Sequence, residues 1–92
     1  MINALVLINT QRGGVNETAQ ALLTIPGVTE VYSVTGEYDL VAVLRLAQYE
    51  DLATVVTERM MAIERITRTE TLVAFRAYRR EDREQAWDIG EQ

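Results

Sequence analysis

An α+β sandwich, with four antiparallel strands and two helices on one face of the sheet, is the architecture this sequence predicts. Three observations carry it. Short apolar runs of strand character alternate with stretches of helical period, in the order βαββαβ. The two halves repeat weakly, Ile25 and Ile63 as well as Val28 and Ile66 standing 38 positions apart. The run "LVAVLRL" is apolar on both faces, which suits an inner strand. Two strand-helix-strand units of this kind form the split βαβ, ferredoxin-like arrangement, with the first and third strands at the centre of the sheet.

The first strand is Ala4 to Ile8, closed by "NTQRGG", a loop signal. Val15, Ala19, Leu22 and Leu23 then fall at helical spacing, with Asn16 as N-cap and Pro26-Gly27 as the stop. "VTEVYSV" is the second strand, "TGEYD" a tight turn and "LVAVLRL" the third strand, together a hairpin. Asp51 caps a second helix whose Leu52, Val55, Val56, Met60 and Ile63 line one face, and "TRTETLVAFRAY" supplies the fourth strand. Leu40, Ala42, Leu44 and Leu46 alternate with Val41 and Val43, so helices on one face leave a second apolar face to be covered. The reading is a second copy packed sheet to sheet. The alternative is a C-terminal segment folded back, with Phe75, Tyr78 and Trp87 contributing. Residues 1–78 form the domain, and 79–92 a charged C-terminal extension.

Composition narrows the function classes. Ninety-two residues, 48% of them apolar, make one core and leave no room for a second, so a separate DNA-binding domain is not expected in this chain. The opening "MINALVLINT" has no basic leader and no apolar run near the roughly 20 residues that cross a bilayer. A soluble, cytoplasmic protein with no membrane partner is expected. Cysteine and histidine are absent, which removes thiolate chemistry and the commonest general base and metal ligand. Lysine is absent as well, so Schiff-base catalysis is excluded. No catalytic residue, no metal and no cofactor is expected. The net charge of −5 opposes phosphate backbones, so nucleic acid is not an expected direct partner.

Four motifs remain. In "GEYD", Gly36 can adopt positive φ and Asp39 can bond backbone N–H groups, which a turn alone would require. The same residues, with the Tyr38 phenol beside them, also make a set able to accept an ammonium group. In "TRTET", Thr67, Thr69 and Thr71 share one face of the fourth strand, a pattern ordinary for a solvated strand and equally able to offer hydroxyls. "RGG" at Arg12 to Gly14 is a flexible loop without a phosphate-binding lysine. Glu50 and Asp51 read as helix-start residues.

Taken together, "IPGVTEVYSVTGEYDLVAVL" and "ITRTETLVAF" resemble the effector-binding domain of the Lrp/AsnC family, the leucine-responsive regulators, in its RAM form. The resemblance runs to about Tyr78 and rests on the "PGV" turn, the "TG-Y-D" hairpin and the "T-T" strand. It implies a stand-alone RAM domain lacking the helix-turn-helix of its relatives. It further implies a homodimer assembling into an octamer or similar ring, and an amino-acid effector held between dimers. By motif, Asp39 takes the ligand ammonium and Gly36 lets the backbone approach. Tyr38 shapes the wall, and Thr69 and Thr71 supply hydroxyls. The function expected is an oligomeric amino-acid sensor, acting alone or co-assembled with full-length family members. The alternatives are a small dimeric ferredoxin-like enzyme of the monooxygenase or isomerase type, and a purely structural assembly module.

Overall fold

A computed structural model describes residues 1–80. Its elements are β1 (Ile2–Thr10), α1 (Val15–Leu22), β2 (Val28–Ser33), β3 (Leu40–Leu46), α2 (Tyr49–Thr54), a π-helical segment (Val55–Met60) and β4 (Ile66–Ala74). The strands form one antiparallel sheet in the order β2-β3-β1-β4. The two apolar strands are therefore the inner pair, as the split βαβ reading requires.

Register explains the core. Ala4 pairs with Leu44, Val6 with Ala42 and Ile8 with Leu40, so these residues share the face beneath the helices and are buried. Leu22 from α1, Leu52 from α2, and Val55 and Met60 from the π-helical segment close over them. Burying each of the larger side chains contributes about 1.5–3 kcal/mol. The internal repeat is visible in the main chain. Ile25 N–H donates to the Leu22 carbonyl and Val28 N–H to the Ile25 carbonyl, both at 3.1 Å. Thirty-eight positions on, Ile63 N–H donates to Met60 (3.0 Å) and Ile66 N–H to Ile63 (3.1 Å). Each helix thus hands over to its strand through the same pair of turns.

Local details depart from the sequence reading. Helix α1 starts two residues earlier than an Asn16 cap requires, with Gly14 at the cap position. The cause is the turn at Gly13, whose φ of +81° brings the Gly14 N–H to the Gln11 carbonyl (3.1 Å). Thr18 takes the buried position assigned to Leu23, and Leu23, just past the helix end, is 46% exposed. Helix α2 is capped at Gln48 rather than Asp51. Asp51 lies in its first turn and accepts the Gln48 N–H (3.2 Å), the carboxylate half of a capping box. The second helix then widens into the π-helical segment. There the Thr57 hydroxyl donates to the Ala53 carbonyl (2.5 Å), a back-bond that competes with helical pairing.

The opposite face of the sheet carries Leu5 and Leu7 of β1, Val41 and Val43 of β3, Leu72 of β4 and Tyr32 of β2, by alternation with the buried set. Leu5 is 39% exposed and Leu72 46%. Among the described residues nothing covers this face. Phe75 and Tyr78, the two covering candidates within the described residues, are 100% and 87% exposed, and Trp87 lies outside them, as does most of the 79–92 extension.

Candidate functional site

The hairpin between β2 and β3 is not a two-residue turn but a loop, 34–39, tied down at both ends. Val34 N–H donates to the Asp39 carbonyl (3.1 Å), and Asp39 N–H donates across to Ile8 on β1 (2.9 Å). The Asp39 Oδ2 accepts the Thr10 N–H at 2.8 Å, and Asn9 Nδ2 donates to the Glu37 carbonyl at 2.8 Å. The loop is thereby fixed to the C-terminal end of β1. Gly36, at its tip, has φ +107°, a conformation that L side chains rarely adopt. A Cβ built there would meet nothing within 4 Å, so the demand at Gly36 is conformational and its backbone faces open space.

Tyr38 reaches back over β1. The Arg68 guanidinium on β4 lies 5.3 Å from the centre of its ring, within cation–π range. Partial desolvation raises the Tyr38 pKa above the ordinary phenol value; Arg68 opposes the rise, and Glu70 and Glu37 add to it. On the outer strand, Tyr32 donates its hydroxyl to Glu30, and that hydrogen bond, followed by the Glu30 charge, raises the Tyr32 pKa.

The threonines are placed differently. Thr69 stands opposite Ile8 and Thr71 opposite Val6, so both share the helix-side face at the open edge of the sheet and are half-buried. Thr67 has left the series. A bulge lets Asn9 pair with Arg68 and Thr10 with Ile66, and the skipped Thr67 donates to the Asn9 carbonyl (3.2 Å). Arg68 and Glu70 alternate with the threonines and face the other way. Within one chain the structure therefore gathers Gly36, Tyr38 and Asp39 on the pinned loop, and sets Thr69 and Thr71 on the far side of β4 from Tyr38. Asn9, Thr10, Arg68 and Glu70 were missed as site residues. The alternation inside "TRTET" already places Arg68 and Glu70 together, but only the loop's fold shows what they meet.

Fold and loop define a ferredoxin-like α+β domain that presents a preformed polar loop at one end of its sheet. The family model of the Lrp/AsnC ligand binding domain matches residues 3–84, and the chain belongs to that family. It is similar to TTHA0845 of Thermus thermophilus, at 51% identity, with 87% of this chain and all of that one covered and a TM-score of 0.82. It is also similar to the HTH-type transcriptional regulator FL11 of Pyrococcus furiosus, 31% identical over 78 residues, which is 85% of this chain and 51% of the relative. The transcriptional regulator NMB0573 of Neisseria meningitidis, solved as its L-Met complex, shares the fold alone: 12% identity and a TM-score of 0.76, over 85% of this chain and 52% of that one. The chain spans about half or less of the length of the curated relatives it matches. Those relatives are named as transcriptional regulators, and no helix among the described residues is long and apolar enough to cross a membrane.

Proposed function

We propose that the chain is an oligomeric amino-acid-sensing domain of the Lrp/AsnC type, cytoplasmic and non-enzymatic, working without direct contact to nucleic acid. The observation that carries the reading is the anchored carboxylate of Asp39. Oδ2 is held by the Thr10 N–H, so the charge is fixed in place at the base of the loop whose tip is Gly36, as an acceptor for an ammonium group. The family's description as a ligand binding domain supports this, as does the L-Met found with a protein of the same fold.

The position of Thr69 and Thr71 gives the reading its form. One chain cannot bring them to the Tyr38 side of β4, so a pocket using all five residues draws on more than one copy: the loop from one and the threonines from another. The uncovered sheet face supplies the primary dimer contact. Further assembly to an octamer or ring creates the junctions in which the effector sits, and the same surfaces would admit co-assembly with full-length family members.

A panel of amino acids tested by thermal shift checks the reading, since a ligand at 100 times its dissociation constant adds about 2.7 kcal/mol. Asp39→Asn then locates the site. Asparagine keeps an oxygen for the Thr10 N–H and loses the charge, so the fold should survive while affinity for the best amino acid falls roughly 10- to 100-fold. Equal affinities of both forms in calorimetry would remove Asp39 from the site. Failure of the wild type to bind any amino acid would end the sensor reading.

A further inference from the structure

A free amino acid has two charged ends, and the carboxylate of Asp39 answers only one of them. The register sets a cation in line with it. Leu40 pairs with Ile8 and the Asp39 N–H reaches the Ile8 carbonyl (2.9 Å), so Asp39 enters the sheet beside Asn9, and Asn9 pairs in turn with Arg68. Asp39, Asn9 and Arg68 thus form one row across three neighbouring strands, at the end of the sheet that carries the 34–39 loop. Strands lie about 4.8 Å apart, so the main chains of Asp39 and Arg68 are roughly 10 Å apart. The Arg68 side chain points back along this row. Its guanidinium lies 5.3 Å from the centre of the Tyr38 ring, and Tyr38 is the residue next to Asp39. Asn9, between the two, is engaged by the Glu37 carbonyl (2.8 Å) and holds the loop against the row. Arg68 is exposed, so a ligand can reach it. The other charges acting on the Tyr38 phenol are Glu37 and Glu70. Among these groups Arg68 is the cation, and the anionic end of a ligand has one destination.

We propose, building on the amino-acid-sensing function above, that Arg68 receives the α-carboxylate of the amino acid whose ammonium Asp39 holds, which makes the site selective for free amino acids over the corresponding amides and amines. The two charged ends of an amino acid are joined through one Cα by bonds of about 1.5 Å each. Each ionic hydrogen bond adds roughly 2.8 Å. A short aspartate and a long arginine two strand spacings apart leave a gap of that order between their charged ends. The planar guanidinium fork matches the paired oxygens of a carboxylate. Its in-plane N–H donors are distinct from the part that meets an aromatic face, so Arg68 can keep Tyr38 while it binds.

The test compares acid with amide. Thermal shift of the intact protein with each of the twenty amino acids selects the strongest binder, and calorimetry then sets that amino acid against its own α-amide, which keeps the ammonium and the side chain and lacks the anionic end. The wild type should bind the amide roughly 10- to 100-fold more weakly. In Arg68→Gln, an exposed change that spares the core, the amino acid should fall to about the affinity of the amide, so that the difference closes. Arg68→Lys keeps the charge and should keep part of the difference. If Arg68 only supported Tyr38, its loss would weaken acid and amide alike and leave their ratio intact. A wild type that binds acid and amide equally, or an Arg68→Gln protein that separates them as the wild type does, overturns the proposal and leaves the role of Asp39 standing. Failure of every amino acid to bind removes the sensor function and, with it, this role for Arg68.

Discussion

Gly27→Ala is expected to lower the melting temperature by about 8 °C or more. Two costs coincide at this position. Gly27 has φ +98°, where a side chain adds roughly 1–2 kcal/mol of backbone strain. Its Cβ would also stand 2.3 Å from Cδ2 of Leu46, and Leu46 is buried at the end of β3, so overpacking adds roughly 1–3 kcal/mol. The turn has little freedom to shift, because the Gly27 carbonyl accepts the Arg45 N–H at 2.8 Å. In a domain of this size each kcal/mol moves the midpoint by about 4–8 °C. Gly36→Ala is the control: the φ is equally positive, but a Cβ there meets open space, so only the strain should register. Differential scanning calorimetry of both variants at one protein concentration decides between strain and contact. If Gly27→Ala costs no more than Gly36→Ala, Leu46 yields freely and the close approach is not required. If the contact matters, adding Leu46→Ala to Gly27→Ala should cost less than the sum of the two single changes.

The same turn shows why so much of the fold was legible in the sequence. Each half must run an apolar strand under a helix and return through a turn, and the residues that do this, Leu22, Ile25 and Val28 against Met60, Ile63 and Ile66, are large, apolar and identically spaced. Strand β3 was readable to the residue because alternation there has no competitor. The helix caps were not. A search for polar N-caps passes over Gly14, which works through main-chain turn geometry, and a search for apolar periodicity passes over Thr18, which is buried with its hydroxyl unpaired among the described residues. The candidate site was legible as a set of residue types, but not as an arrangement. Alternation fixed which threonines share a face, yet the bulge that removes Thr67 depends on the pairing of β4 with β1. The span of Tyr38 from the loop to Arg68 depends on hydrogen bonds from Asn9 and Thr10, residues at the end of a strand nearly thirty positions away.

The uncovered face gives the other large expected effect: Val43→Asp should turn the proposed dimer into a folded monomer. Val43 lies between Leu5 on β1 and Glu30 on β2, in the middle of the sheet face that no described residue covers, and is already half-buried in the single chain. In a monomer the new carboxylate stays hydrated on that face and the buried set beneath the helices is untouched, so the fold should remain. In a sheet-to-sheet dimer the same carboxylate loses its water without gaining a cation. An uncompensated buried charge costs about 3–5 kcal/mol. Because a two-fold interface repeats every change, the loss counts twice, and even the lower figure, about 6 kcal/mol in all, weakens association by about 10⁴-fold. Val43→Thr keeps the shape and adds only a hydroxyl, so it should associate far more strongly than the aspartate variant. Sedimentation velocity across micromolar concentrations, with circular dichroism to confirm the fold, reads the outcome. A folded Val43→Asp protein with the mass of the wild-type assembly would place the contact elsewhere on the molecule, and a wild type that sediments as a compact monomer would leave this face without the partner proposed for it.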